Sequence, residues 1–173
     1  VIEKIENDSR SRKVVIDKRK VRESIGVPLS SILILSVGEL IHRKNHEAII
    51  RALGRVKNPD IFYAIAGKGP LKNYLIKLAD RLGVGNNIIF LGFRTDVFEL
   101  YHAADICAFP SKIEGLGLSG IEALSAGLPL ISSNVHGILD YVEDGITGYA
   151  VKPSDIDGFA KAIQSLSTDD DLR

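Results

Sequence analysis

The chain has 173 residues, of which 45% are hydrophobic and 25% charged, and its 22 Lys and Arg residues balance its 22 Asp and Glu residues. Apolar content this high with balanced charge excludes an intrinsically disordered chain. A net charge of zero also argues against broad electrostatic binding to nucleic acid. The single cysteine, Cys107, excludes an internal disulfide framework, and no apolar run approaches the roughly 18 residues of a membrane-spanning helix.

The predicted elements begin after a charged start. Residues 1–16 have weak periodicity and are interpreted as a tail or linker remnant. A short helix is predicted over 17–26, and its basic cluster is interpreted as a solvated face. From residue 31 onward, short apolar runs alternate with segments of helical periodicity. The runs predict strands at 31–37, 61–66, 88–91, 105–109, 128–132 and 148–151, and the periodic segments predict helices at 46–56, 71–82, 96–104, 118–126, 137–142 and 154–167.

Near-continuous apolar strands that alternate with helices are typical of a parallel sheet covered on both faces. The fold class is therefore α/β, with a doubly wound parallel sheet. Ligands of such sheets bind beyond the carboxyl ends of the strands. The loops in which we expect the site are 38–45, 67–70, 92–95, 110–117 and 133–136.

The loop that precedes the predicted helix 118–126 has the pattern of a phosphate site. Gly115 and Gly117 allow the backbone to approach a ligand, and the helix N-terminus supplies unpaired N–H groups and a favourable dipole. Glu114 and Glu122 bracket this site with seven residues between them. Glu122 is placed to accept hydrogen bonds from a ribose diol, and Glu114 to meet a sugar hydroxyl. A tight glycine turn and a dipole-complementing glutamate are the structural alternatives.

These motifs together carry a resemblance to a known family. The ordered set Phe109-Pro-Ser, Glu114-Gly-x-Gly and Glu122-Ala-x-x-Ala-Gly-x-Pro129 resembles the retaining group 1 glycosyltransferases of the GT-B fold, whose signature is two glutamates separated by seven residues. The similarity runs from about residue 31 to residue 167. The stretch Gly38-Glu39-Leu40 with Lys44-Asn45-His46 is similar to the branch found in bacterial exopolysaccharide and capsule assembly.

The resemblance implies a Rossmann-like domain, residues 17–173, that forms the donor-binding C-terminal half of a two-domain enzyme. It implies a nucleotide-diphospho-sugar as substrate, with UDP, GDP or ADP as the nucleotide, and an N-terminal acceptor domain that is absent here. The absence of any Met agrees with such a cut, so we expect this chain alone to be inactive in transfer. We expect a cytoplasmic enzyme whose membrane contact, if it has one, lies in the other domain, and we expect no nucleic-acid partner.

The family's roles transfer onto matching positions of this sequence. The resemblance implies that Glu122 holds the ribose and that Glu114 touches the donor sugar. The diphosphate is expected at Lys44 and at the loop backbone, with the nucleobase near Phe93. No metal or other cofactor is expected, because cations and a helix dipole stabilise the leaving group. The full set of candidate residues is Glu114, Lys44 and Arg43 for catalysis, and Glu122, Gly115, Leu116, Gly117, Leu118, Gly38, Glu39, Gly67, Lys68, Phe93, Arg94 and His136 for donor binding.

One departure from the family pattern bears on the diphosphate. Many relatives carry an Arg directly after the Val-Gly pair, where this sequence has Glu39, and a carboxylate there would repel phosphate. Arg43, adjacent to Lys44, is a candidate for the missing charge. A second departure is Asp140, where relatives often carry Glu.

Two other functions remain open from the residues alone. A nucleotide-sugar epimerase or a phosphorylase-like enzyme would use the same two-domain architecture. A non-catalytic nucleotide-sensing module on the same scaffold is the non-enzymatic alternative. Lys68 does not belong to a P-loop, and the loop after the first strand lacks the Gly-x-Gly-x-x-Gly pattern of a nicotinamide site. Of the four histidines, His136 lies in a predicted site loop, and the others are interpreted as surface or capping groups.

Overall fold

A computed structural model of the chain describes residues 16–170 and 173, so nearly all of the predicted tail lies outside the described residues. Within them, six parallel strands form one sheet in the order β3-β2-β1-β4-β5-β6, which confirms the doubly wound α/β class. The strands are β1 Ile32–Val37, β2 Ile61–Ala66, β3 Ile88–Gly92, β4 Ile106–Phe109, β5 Leu130–Ser133 and β6 Gly148–Val151. The helices are α1 Lys18–Ser24, α2 His46–Val56, α3 Lys72–Arg81, α4 Val97–Ala103, α5 Leu118–Ser125 and α6 Ile156–Thr168, with short 3₁₀ turns at His42–Lys44 and Gly85–Asn87.

The core lies in two layers because successive strand residues face opposite sides of the sheet. In β1, Leu33 and Leu35 pack on the side of α1, α4 and α5, whereas Ile34 packs on the side of α2, α3 and α6. All three are at most 1% exposed. Burial on both faces is the reason that the strands read as continuous apolar runs.

The strand order reverses at β1, which has β2 on one side and β4 on the other. β1 and β4 pair only at Ile34 with Ile106 and at Leu35 with Cys107, so the two strands part before their carboxyl ends. Connections from adjacent strands on either side of such a reversal leave toward opposite faces and open a crevice between them. This switch-point crevice lies between the loop 38–45, after β1, and the loop 110–117, after β4.

Helix α1 corrects the interpretation of its basic cluster as a solvated face. Arg22 is 1% exposed and donates to Asp105 Oδ2 at 2.5 Å, and to the carbonyls of Ser31 and Ala103 at 2.7 and 2.9 Å. Lys18 Nζ lies 2.8 Å from the other oxygen of Asp105. The remaining members, Arg19 and Lys20, are exposed, and Lys20 pairs with Asp17 of its own helix start. The pattern misled because four neighbouring cations on one short helix do not all lie on one face.

The predicted helix 137–142 is wrong, because the structure forms a series of turns there. Its hydrogen bonds alternate between three-residue and four-residue spacing, as in Ile138 N to Val135 O and Val142 N to Ile138 O. Gly137 has a φ of +86°, which lies in the left-handed region and is incompatible with a right-handed helix start.

Candidate functional site

Two cations and one carboxylate meet across the switch-point crevice. Lys44 Nζ lies 2.8 Å from Glu114 Oε2, and Arg43 Nη1 lies 3.1 Å from Glu114 Oε1. The Lys44 and Glu114 side chains are only 14% and 11% exposed, whereas Arg43 is 44% exposed. The backbone joins the same two loops, since Lys112 N donates to Arg43 O at 2.8 Å. We call Arg43 and Lys44 together the cation clamp.

The clamp controls the ionisation of Glu114. Burial alone would raise the pKa of this carboxyl group. The hydrogen bond from Lys44 and the charges of Lys44 and Arg43 outweigh burial and hold the pKa below its ordinary value. Glu114 is therefore a carboxylate at neutral pH. It neutralises the positive charge of the cation clamp, which an anionic ligand could otherwise contact.

Lys44 is held over the crevice by its surroundings. The residue that follows it, Asn45, has a left-handed backbone with a φ of 55°, and it turns the chain from the 3₁₀ turn into α2. The Lys44 ammonium lies 5.2 Å from the centroid of the Phe109 ring, within the range of a cation–π contact. The aliphatic part of Lys44 lies beside Gly38, where an added Cβ would make ordinary contact with Lys44 Cδ at 3.5 Å.

The N-terminus of α5 opens into the same crevice. Gly117 precedes the helix with a φ of +70°, and a Cβ there would stand 2.7 Å from the Phe109 ring. Tyr141 Oη donates to Gly117 O at 3.3 Å and braces this turn. The neighbouring side chains of Leu116 and Leu118 are 56% and 65% exposed, so only their backbone can serve the predicted phosphate site.

The loop after β5 closely contacts the same turn. A Cβ on Gly137 would stand 1.6 Å from Gly115 O, a distance that only glycine permits. This contact brings the predicted site loop 133–136 against Gly115. His136, directly before Gly137, is exposed.

Glu122 faces a different part of the site from Glu114. It is exposed on α5, and its Oε2 lies 3.3 Å from Tyr101 Oη, which also lies 3.0 Å from Ser119 O. Burial raises the pKa of Tyr101, and the Glu122 charge raises it further, so this phenol remains a donor. An apolar cleft of about 350 Å³ between α4 and α5 adjoins Glu122 and is lined by Val97, Phe98, Tyr101, Leu118 and Ile121.

The loops after β2 and β3, at Gly67 and Phe93, form a further wall of the site beside the loop 38–45. Gly67 approaches Gly38 so closely that a Cβ would stand 1.9 Å from Gly38 O. Lys68 Nζ lies 6.0 Å from the centroid of the Phe93 ring, which is 69% exposed. The Arg94 guanidinium is engaged by Asp96 at 2.5 and 2.7 Å, so its charge is already neutralised.

The structure thus gathers most of the predicted residues around one crevice. Glu39 is an exception, because its side chain is exposed and, among the described residues, forms no ion pair with either clamp residue. Asp140, noted only as a departure from the family pattern, is exposed in the turns after β5.

Sequence reasoning missed several residues that shape the site. Phe109 and Tyr141 pack around the α5 turn, and Tyr101 holds Glu122. His46, interpreted as a surface or capping group, is in fact 3% exposed. Only the positions of the two tyrosines pointed to this role in the sequence. Each lies on a predicted helix that flanks the site, and a tyrosine hydroxyl on an apolar helix face needs a hydrogen-bond partner.

Two absences are reported for residues 16–170 and 173. These residues contain no cluster of three or more His, Cys, Asp or Glu side chains placed to hold a metal ion. None of the helices described there is long and apolar enough to cross a membrane. The expectation of metal-independent chemistry remains a prediction.

Comparison with known families decides the classification. The family model described as "Glycosyl transferases group 1" matches residues 17–173. The chain belongs to the group 1 glycosyl transferase family. This result confirms the family indicated by the two-glutamate pattern.

Individual relatives agree with this classification. This group 1 glycosyl transferase is 33% identical over 156 residues to an uncharacterized glycosyltransferase of Methanocaldococcus jannaschii, covering 88% of this chain and 40% of that protein. Its fold superposes on Anabaena HepE, solved in complex with UDP and glucose, with a TM-score of 0.84 and 27% identity over 90% of this chain and 43% of that one. The crystal structure of the C-terminal domain of a group 1 family protein from Francisella tularensis shares the fold at 23% identity, with a TM-score of 0.81, covering 90% of this chain and 85% of that domain.

The chain spans less than half the length of the curated relatives that it matches.

Proposed function

We propose that this chain is the donor-binding, C-terminal domain of a glycosyltransferase that transfers a sugar from a nucleotide-diphospho-sugar with retention of anomeric configuration. The observation that carries the proposal is the convergence of Arg43 and Lys44 at the switch-point crevice, beside the N-terminus of α5. The binding of UDP by the Anabaena neighbour supports it. We further propose that the enzyme is of the type found in bacterial exopolysaccharide or capsule assembly.

The site has the groups that this chemistry needs. When the bond from the anomeric carbon to the diphosphate breaks, negative charge develops on the leaving oxygen. The cation clamp and the free N–H groups at the start of α5 stabilise that charge. Glu122 receives the ribose, with one of its oxygens already held by Tyr101. The nucleobase lies toward Phe93.

In this scheme, Arg43 replaces the arginine that relatives carry at the position of Glu39. The Arg43 guanidinium and the Lys44 ammonium contact the two oxygens of the same Glu114 carboxylate, so both cations lie at the same point of the crevice. Glu114 occupies that point in the unliganded chain. A diphosphate displaces its carboxylate, which then becomes free to orient the donor sugar.

Calorimetric titration of the chain with UDP and with uridine tests the proposal. We expect Lys44→Ala to weaken UDP binding roughly 10- to 100-fold, the range for a lost charge-assisted hydrogen bond, while uridine binding stays unchanged. Arg43→Ala should have a smaller effect in the same direction, because Arg43 is more exposed. Lys77→Ala, which removes an exposed lysine from α3, is the matched control. Equal losses for UDP and uridine in Lys44→Ala would refute the phosphate role.

Nucleotide choice and stereochemistry need separate measurements. A panel of UDP-, GDP- and ADP-sugars should raise the melting temperature selectively for the true donor, because a ligand of the folded state stabilises it. For the full-length enzyme, the anomeric configuration of the product, read by NMR, should match that of the donor. An inverted product, or an epimerised nucleotide sugar, would contradict the proposal.

A further inference from the structure

A chain of buried polar groups lies beneath the cation clamp. His46 Nε2 lies 3.1 Å from Glu39 O, and His46 Nδ1 lies 3.0 Å from Tyr63 Oη. Tyr63 Oη lies 2.8 Å from Ser36 Oγ, which donates to Ala108 O at 2.5 Å. His46, Tyr63 and Ser36 are 3%, 0% and 2% exposed, so water is excluded from these contacts.

The position of this network matters more than its burial. One end is a backbone carbonyl in the loop that carries the clamp, between Gly38 and Lys44. The other end is a backbone carbonyl of β4, directly before Phe109, whose ring lies under the Lys44 ammonium. The network crosses from β1 to β4 just beyond Leu35 and Cys107, where the ladder between the two strands ends. Side chains therefore join β1 to β4 just beyond the last backbone pair of their ladder.

Proton counting limits these contacts. Burial lowers the pKa of His46 to about 4, so the ring is neutral at pH 7 and carries one N–H. Glu39 O can only accept, so a bond to it requires the proton on Nε2, and Nδ1 is then an acceptor. Tyr63 and Ser36 together have two protons for three contacts, which are those at Nδ1, between the two hydroxyls and at Ala108 O. One of these three contacts is therefore made without a proton.

We propose that His46, which donates from Nε2 to the Glu39 carbonyl and contacts Tyr63 through Nδ1, is a positioning residue that holds the loop 38–45 and thereby the cation clamp in register with the α5 N-terminus. This inference rests on the proposed function. It concerns the diphosphate part of the donor, because the network touches the clamp loop and has no contact with Glu122 or with the wall at Phe93.

The test compares two ligands in variants of the chain. Tyr63→Phe removes one hydroxyl and leaves the ring in place. We expect it to weaken UDP binding roughly tenfold, in the range for a buried group left unpaired, and to leave uridine binding unchanged. His46→Gln should remain within about threefold of the parent for UDP, since its amide can donate to Glu39 O and accept from Tyr63. His46→Leu should lose at least as much UDP affinity as Tyr63→Phe.

Ile163→Val is the matched control for a merely structural role. Ile163 is fully buried on α6, so this variant loses core stability without touching the network. It should leave the ratio of UDP to uridine affinity unchanged. The proposal is overturned if Tyr63→Phe weakens both ligands equally, or if UDP affinity is unchanged in Tyr63→Phe.

A ligand-free measurement separates this proposal from the proposed function. ¹⁵N NMR of the His46 ring should show the Nε2–H tautomer, and Tyr63→Phe should shift the amide signals of Leu40 and Lys44. If the parent chain binds none of UDP, GDP and ADP, the proposed function fails, while these spectra still decide the positioning role. The Nδ1–H tautomer, or unshifted loop amides in Tyr63→Phe, would overturn it.

Discussion

At the scale of single residues, Glu114 holds both members of the cation clamp in the unliganded chain. A carboxylate that bridges two cations satisfies them, but it also competes with any phosphate for the same positions. In the proposed function, the side chain that touches the donor sugar therefore has a second effect, on the affinity for the diphosphate.

We predict that Glu114→Gln tightens UDP binding about three- to tenfold, because the diphosphate no longer displaces an ion-paired carboxylate. The same variant should lose roughly 1 kcal/mol of unfolding free energy at pH 7, since a hydrogen-bonded charge pair is lost. Calorimetry with UDP and urea denaturation measure the two effects. Glu23→Gln, an exposed carboxylate on α1, is the control. Weaker UDP binding in Glu114→Gln would show that Glu114 supports the clamp instead of competing for it.

Asp105 anchors α1 to the sheet through Arg22. Removing its charge leaves a nearly fully buried guanidinium without its carboxylate, so Asp105→Asn should cost about 3 kcal/mol in unfolding free energy. Lys18→Ala removes the half-exposed partner of the same carboxylate and should cost under about 1 kcal/mol. Urea denaturation followed by circular dichroism would distinguish the two. Equal losses would contradict the assignment of the anchor to Arg22.

The same anchor has a pH dependence of known sign. Burial alone would raise the pKa of Asp105, but hydrogen bonds from Lys18, the Leu33 amide and Arg22 hold it below its ordinary value. A lowered folded pKa stabilises the fold fully above the unfolded value, near 4, and this stabilisation is lost as the pH falls through the folded value. Asp105→Asn should therefore lose stability less steeply than the parent between about pH 4 and pH 2. An identical slope would contradict this account.

The residue scale is also where sequence reasoning succeeded and failed most clearly. Glu114 and Lys44 could be predicted because a motif fixes each of them relative to a strand end. Tyr63 and His46 could not, since a buried hydrogen-bond chain joins residues from separate elements and leaves no local pattern. Arg22 was misinterpreted because its partner Asp105 is 83 residues away.

At the scale of elements, the site is made by loops that approach each other more closely than side chains allow. Gly67 against the carbonyl of Gly38, and Gly137 against that of Gly115, are contacts that depend on the absence of a Cβ. The strands and most helices could be predicted from periodicity. The turns after β5 could not, because their path is set by the contact of Gly137 with another loop.

We predict that Gly137→Ala lowers both stability and UDP affinity. Its Cβ would combine strain from the left-handed backbone, about 1–2 kcal/mol, with a clash that pushes Gly115 away from the phosphate position. Gly127→Ala is the matched control, because Gly127 has a φ of +83° with no atom within 4 Å of its added Cβ. It should lose stability alone. Equal UDP affinity in the two variants would show that the contact with Gly115 does not shape the site.

At the scale of the whole molecule, the zero net charge conceals a local arrangement. The cations that matter for an anionic ligand are the two of the clamp, and they converge where the strand order reverses. Two larger, open grooves lie elsewhere: one of about 410 Å³ between β6 and α6, and one of about 530 Å³ between α2 and the start of α6. The central claim is therefore one of location: the nucleotide diphosphate binds at the switch-point crevice and not in either groove.

Backbone amide NMR of the chain during titration with UDP tests this location most directly. The account predicts that the largest shift changes occur at Lys44 and at residues 115–118, with smaller changes near Phe93 and Glu122. It also predicts that Lys44→Ala reduces the changes at residues 115–118. Largest changes along β6 and α6, or along α2 at Glu47 to Arg51, with Lys44 and residues 115–118 unaffected, would contradict the account.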